Sequence, residues 1–225
     1  MAAESDPQIF TDVSADPFVR GWLHPPKNHN GKGLVLTHGA GSNCQSALLI
    51  AVADAFAGAG FTVLRCDLPY RQNRSFGPPG PGDAKRDRAG LKNAAEALKK
   101  SLSVSSIFLG GHSYGGRQAS MLCAEEPDLA AGLLLMSYPL HPPRKPEQMR
   151  TQHFTDLRTA TLFVSGTRDP FGSIAEIEQA LKMIPADTKL LTVEGAGHDL
   201  GFKGKARAKD LPARISMEFQ SLIFP

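Results

Sequence analysis

The sequence predicts one α/β domain, a mostly parallel central sheet flanked by helices on both faces with no separate lid domain. Three observations predict it. Apolar runs of strand length alternate with longer helix-compatible stretches along nearly the whole chain, the βαβα order that builds a parallel sheet. The 225 residues, 41% hydrophobic and 21% charged, can bury a sizeable core once and are too few for two comfortable domains. A glycine-flanked serine, Gly111-His112-Ser113-Tyr114-Gly115, stands between one apolar run and one helix-compatible stretch.

Taken in order, residues 18–23 predict an edge strand, antiparallel to its neighbour and ended by Pro25-Pro26. Buried strands follow at 33–37, 61–66, 106–109, 132–137, 161–165 and 190–193, short apolar runs of the kind covered on both faces. Helices are expected at 45–59, 84–101, 113–125, 173–184 and 211–222, each long enough to cross one face of the sheet. Two stretches break the pattern. Residues 68–83, with Pro69, Pro78, Pro79 and Pro81, predict a long loop after the second buried strand, and 139–154, with Pro142, Pro143 and Pro146, predict another. Both should overhang the carboxyl ends of strands, where ligands of open α/β sheets bind, and neither is long enough for a lid domain.

Composition excludes several classes of function. The 25 basic and 22 acidic residues are spread along the chain, so the net charge of +3 outlines no nucleic-acid surface. Lys203, Lys205, Arg207 and Lys209 cluster near the C-terminus and read as a solvated face. Cys44, Cys66 and Cys123 are odd in number and lack CxxC spacing, against a disulfide framework or zinc site and in favour of a reducing, cytoplasmic location. No apolar run approaches bilayer length and no leader pattern is visible, so a soluble protein is expected. The seven histidines are scattered with no HExxH, so neither metal nor cofactor is expected. Neither a nucleic-acid nor a membrane partner is expected, which leaves a small molecule.

Strand, sharp turn and helix is the context in which GxSxG exposes a nucleophilic serine, here Ser113. A serine hydroxyl is a weak nucleophile until a histidine takes its proton and a carboxylate holds that imidazole. Asp169 follows the strand in Leu162-Phe163-Val164-Ser165-Gly166-Thr167-Arg168-Asp169, and His198 follows the next strand in Val193-Glu194-Gly195-Ala196-Gly197-His198. Ser, Asp, His is thus the chain order, each at the end of a strand. Asp199 is a rival acid, but neighbours on one chain point apart, which favours Asp169. After the first buried strand, His38-Gly39-Ala40-Gly41 predicts an oxyanion hole from the Ala40 amide, with Gly41 as fallback, and the Tyr114 amide. His38 and His112 read as structural braces.

With His38-Gly39-Ala40-Gly41, Gly111 to Arg117, Gly166-Thr167-Arg168-Asp169-Pro170-Phe171 and Gly195-Ala196-Gly197-His198 in place, the chain resembles the α/β-hydrolase superfamily. Within it, the resemblance is to the small lidless subgroup related to dienelactone hydrolases and to the testis-expressed hydrolase-like proteins carrying Tyr138-Pro139-Leu140-His141-Pro142-Pro143. It implies an α/β-hydrolase fold, with 1–32 as edge strand and connection and 33–225 as catalytic core. It implies cofactor-free hydrolysis of an ester, thioester or related acyl bond through an acyl-serine. Dienelactone hydrolases use cysteine where this chain has Ser113. The alternative is a non-catalytic interaction module on the same scaffold.

For substrate contacts, Tyr70, Arg71, Arg74 and Arg117 should lie in or beside the pocket loops, and His141 where the second loop leaves its strand. Arginines there would clamp a carboxylate or phosphate, or else pair with Asp67, Asp83 or Asp87 to order the proline-rich loop. Without a long apolar insertion over the site, short or polar acyl groups are expected.

Overall fold

A computed structural model of the chain describes residues 6–101, 104–203 and 209–224. Its strands are β1 (Gln8–Asp12), β2 (Val19–His24), β3 (Lys32–Thr37), β4 (Thr62–Cys66), β5 (Ser106–His112), β6 (Leu133–Met136), β7 (Thr161–Gly166) and β8 (Thr188–Val193). Its helices are α1 (Ala47–Gly58), α2 (Pro69–Asn73), α3 (Asp83–Ser101), α4 (Tyr114–Glu125), α5 (Ile174–Leu181) and α6 (Leu211–Ile223). The strands form one sheet in the order β1-β2-β4-β3-β5-β6-β7-β8. From β4 to β8 every pairing is parallel, and only β1 with β2 and β2 with β4 run antiparallel. The expected mostly parallel sheet is therefore present, with the antiparallel pair confined to one margin.

Alternation along the strands sends successive side chains to opposite faces. Leu34, Leu36, Val63, Phe108, Leu134 and Val164 pack with α1 and α6. Their neighbours Val35, Leu64, Leu109, Leu133, Leu135 and Phe163 pack with α3, α4 and α5. Both faces are covered, which is why the strand sequences are apolar without alternation.

The first face is stapled by aromatic edges. Phe56 of α1 meets Phe61 at 5.2 Å and Phe219 of α6 at 5.5 Å between ring centres, and Phe108 meets Phe61 at 5.6 Å and Phe219 at 5.6 Å. Phe56 is fully buried and joins both helices to the sheet. Phe56→Ala is expected to cost about 3 to 5 kcal/mol and to lower the melting midpoint by on the order of 10 °C. Differential scanning calorimetry checks this, and a shift of under about 2 °C would contradict the packing account.

Three expectations need correction. Residues 18–23 do form a strand, shifted by one, but β1 covers it, so β1 and not β2 is the edge. β1 lacked a continuous apolar run because its residues are mostly exposed, Phe10 alone packing on the core. The stretch 68–83 is not all loop: α2 opens it, because Pro69 at the first helical position forfeits only an amide that has no helical acceptor anyway. β5 runs on to His112 through Gly110 and Gly111, whose composition masked the strand although both pair with β6. Of the basic cluster near the C-terminus, Lys205 and Arg207 lie outside the described residues.

β3 leads to β4 on one side, and β5 then lies against β3 on the other. The chain thus reverses its direction of travel across the sheet between β3 and β5. Connections depart to opposite faces at such a point and leave a crevice at the strand ends, so this topology places any ligand site beside residues 37–41 and 112–114.

Candidate active site

Ser113 sits between β5 and α4 with φ 52° and ψ −117°, a conformation an L-residue adopts only when its surroundings enforce it. Those surroundings are tight. A side chain at Gly111 would come within 2.7 Å of the Gly115 and Gly116 backbone, and one at Gly115 within 2.6 Å of the His38 carbonyl. The Ser113 amide donates to Met136 O at 2.8 Å and the Gly115 amide to His38 O at 3.1 Å, fastening the turn to both neighbouring strands. The serine side chain is left facing the crevice.

Asp169 and His198 are brought to it from the ends of β7 and β8. His198 Nε2 lies 2.8 Å from Ser113 Oγ, and His198 Nδ1 lies 2.8 and 3.0 Å from the two Asp169 oxygens. Asp169 Oδ1 also accepts the Phe171 amide at 2.9 Å, which orients the carboxylate in a place nearly closed to solvent. The two loops are tied by Arg168 N–H to Ala196 O at 2.9 Å. Gly166 permits that approach, since a side chain there would stand 2.2 Å from Ala196 O. The rival Asp199 is occupied otherwise, accepting the amides of Gly201 and Lys203 at 3.2 and 2.8 Å.

His112 and His38 brace the site. His112 Nε2 lies 2.7 Å from His198 O, and burial pushes the imidazole down to about 4, so the neutral ring donates Nε2–H to that carbonyl. His38 is fully buried and its pKa is likewise lowered by burial. Leu68 N–H donates to its Nε2 at 3.1 Å, which leaves Nδ1–H to donate to Gly39 O at 3.0 Å.

Two carbonyls of the loop after β3, those of Gly39 and Ala40, are turned the same way. Gly39 O accepts from Ser42 N–H, His38 Nδ1 and Tyr70 Oη, and Ala40 O accepts from Tyr70 Oη at 2.9 Å and Arg71 Nη2 at 3.0 Å. In a planar trans peptide the N–H points opposite to the C=O. The Ala40 and Gly41 amides are therefore presented on the other side. The Tyr114 amide is the first of α4 and has no acceptor within the helix. Ala40, Gly41, Ser113 and His198 all border one cleft of about 430 Å³, completed by apolar Ala47, Leu48, Phe171 and Phe202 and by Asp199 and Lys203.

Of the expected substrate contacts, none lines this cleft. Tyr70 is buried behind the loop and Arg71 is buried among carbonyls, donating to Ser42 O, Ala40 O, Gly77 O and Arg74 O. His141 is buried elsewhere, its Nδ1 against Pro142 O and its Nε2 3.6 Å from Glu176. Arg74 pairs with Asp83, as an ordering role would require, and Arg117 lies on α4 near Tyr138 and His153. Residues in a loop flanking a strand end can face the crevice or its backing, and spacing does not distinguish the two. Phe171, Phe202 and Lys203 take the wall positions instead; Phe171 stacks at 4.2 Å on the His198 ring. Lys203 thus serves the cleft rather than only a solvated face.

Among the described residues, no group of three or more His, Cys, Asp or Glu side chains could hold a metal ion. Among them also, no helix is long and apolar enough to cross a membrane.

Residues 30–217 match the model of a family described as an alpha/beta hydrolase domain. Over 187 residues the chain is 24% identical to cutinase Est2 of Thermobifida alba, covering 82% of this chain and 58% of that protein, so it spans less than two thirds of that relative's length. Among solved structures it is similar to a dienelactone hydrolase from Anabaena variabilis, with TM-score 0.72, 22% identity and 96% and 97% of the two chains covered. It is similar also to a lidless α/β serine hydrolase from Xanthomonas campestris, with TM-score 0.73, 15% identity and 96% and 95% covered.

Proposed function

This chain belongs to the α/β-hydrolase family, and from that premise we propose that it is a serine hydrolase cleaving an ester, thioester or related acyl bond of a small substrate. One observation carries the reading. The Ser113 hydroxyl, His198 imidazole and Asp169 carboxylate form an unbroken hydrogen-bonded line, 2.8 Å at each join, that ends in an open cleft.

In the proposed reaction Ser113 Oγ adds to the acyl carbon while His198 Nε2 takes its proton. Asp169 keeps the other imidazole proton on Nδ1 and stabilises the imidazolium. The Ala40 and Tyr114 amides receive the oxyanion, a contribution of about 3 to 4 kcal/mol per donor in enzymes of this type. Collapse expels the alcohol or thiol, protonated by His198, and leaves an acyl-serine. Water, deprotonated by the same imidazole, then releases the acid and restores Ser113. A cleft of about 430 Å³, near the small end for ligand pockets, favours short acyl groups over long chains.

A fluorophosphonate probe is expected to label the wild-type protein at Ser113 alone, with turnover of p-nitrophenyl acetate abolished in step. Peptide mass mapping reads the labelled residue. Absence of labelling and turnover would leave an interaction module on a hydrolase scaffold.

A further inference from the structure

We propose that Asp87, Tyr70 and Tyr114 form one positioning unit that joins the two halves of the oxyanion hole, Tyr70 holding the loop that carries the Ala40 amide and Tyr114 carrying its own. The proposal rests on the serine-hydrolase reading above and explains what presets the site's electrostatics.

Asp87 is out of place in its helix. The apolar stripe of α3 runs through Leu91, Ala94, Ala95 and Leu98, and Asp87, one turn before Leu91, continues it with a fully buried carboxylate. A carboxylate withdrawn from water is costly unless its oxygens are taken up. Each one is. Oδ1 accepts the Tyr70 amide at 3.1 Å and Oδ2 accepts the Tyr114 hydroxyl at 2.7 Å.

Both partners lead straight to the oxyanion loop or to its opposite donor. Tyr70 Oη donates to Ala40 O at 2.9 Å and lies 3.3 Å from Gly39 O, so it holds the two peptide planes whose far sides carry the Ala40 and Gly41 amides. Arg71, the next residue of α2, adds its fork to Ala40 O and Ser42 O. Tyr114 contributes the other amide from the start of α4, and its side chain, tied to Asp87, limits rotation of that first turn. The two phenol rings also meet edge to face at 5.8 Å. Burial pushes both hydroxyls up, Tyr70 to about 12, so each remains a donor through any ordinary assay pH.

Asp87, Tyr70 and Tyr114 are not among the residues lining the cleft, so the group acts by holding others. A hole preset before the substrate arrives spends no reorganisation when charge develops, and small displacements of its donors cost rate rather than binding.

The test is a double-mutant cycle on p-nitrophenyl acetate, with Tyr70→Phe and Tyr114→Phe, each deleting one oxygen and retaining its ring. Each single change should lower kcat by about 10-fold, with KM within about two-fold of wild type. Because both act on one unit, the double variant should lose clearly less than the roughly 100-fold product of the two. A wild-type kcat in Tyr70→Phe, a loss that falls on KM, or a fully multiplicative double variant would overturn the proposal. If Tyr70→Phe does not fold, Tyr114→Phe decides alone, and unchanged kcat there overturns it too. A wild type that neither labels nor turns over sinks the hydrolase reading itself; an active wild type beside unaffected variants sinks only the positioning role of the Tyr70, Asp87 and Tyr114 unit.

Discussion

Ser113→Ala is expected to lower kcat on p-nitrophenyl acetate by on the order of 10⁵ to 10⁶, leaving only what the oxyanion hole and binding supply, while the melting transition stays where it was. The rate loss follows, in the proposed mechanism, from deleting the atom that forms the acyl bond. Stability should hold for a separate reason. Ser113 stands at the N-cap of α4, yet its side chain makes no capping hydrogen bond and meets His198 instead. Alanine therefore forfeits no helix-end contact, and at φ 52° it is strained neither more nor less than serine. The measurements are steady-state kinetics and calorimetry on the same preparation. Residual turnover above about 1% of wild type, with contamination excluded by loss of probe labelling, would mean another nucleophile.

Legible in the sequence is whatever the sheet's own ends determine. Ser113 follows β5 at once, and Asp169 and His198 stand in the short turns that leave β7 and β8, so a strand end and a glycine-rich turn locate each of them. Side-chain direction inside a loop is not so constrained. Tyr70 and Arg71, expected to face the pocket, lie instead on the carbonyl side of the 39–42 loop, a distinction set by which way two peptide planes face. Lys203 and Phe202 follow β8 without any motif and reach the cleft only through the turn that Asp199 closes. Asp87 did leave a sign, an acid in register with Leu91, Ala94 and Leu98 along the buried stripe of α3. β1 left none, because an exposed edge strand has neither an apolar run nor a clean alternation to show.

Asp169→Asn is expected to cost about 10⁴ in kcat, the size the same change has in serine-protease triads, with the fold intact and KM little altered. The hydrogen bonds dictate the direction. Asp169 Oδ1 accepts the Phe171 amide, so asparagine would keep its oxygen there and turn its NH₂ toward His198 Nδ1. A donor facing Nδ1 forces the imidazole proton onto Nε2. That nitrogen would then donate to Ser113 Oγ instead of accepting from it, and the nucleophile would lose its base. With the Asp169 side chain only 2% exposed, no water can replace the lost acceptor. Asp199→Asn supplies the contrast: its carboxylate serves the amides of the 199–203 turn, so kcat should fall by less than about 10-fold. Because Asp199 borders the same cleft and adjoins His198, the comparison separates proximity from hydrogen-bond geometry. If the Asp199 variant lost more than the Asp169 variant, the acid of the triad would have been assigned to the wrong carboxylate.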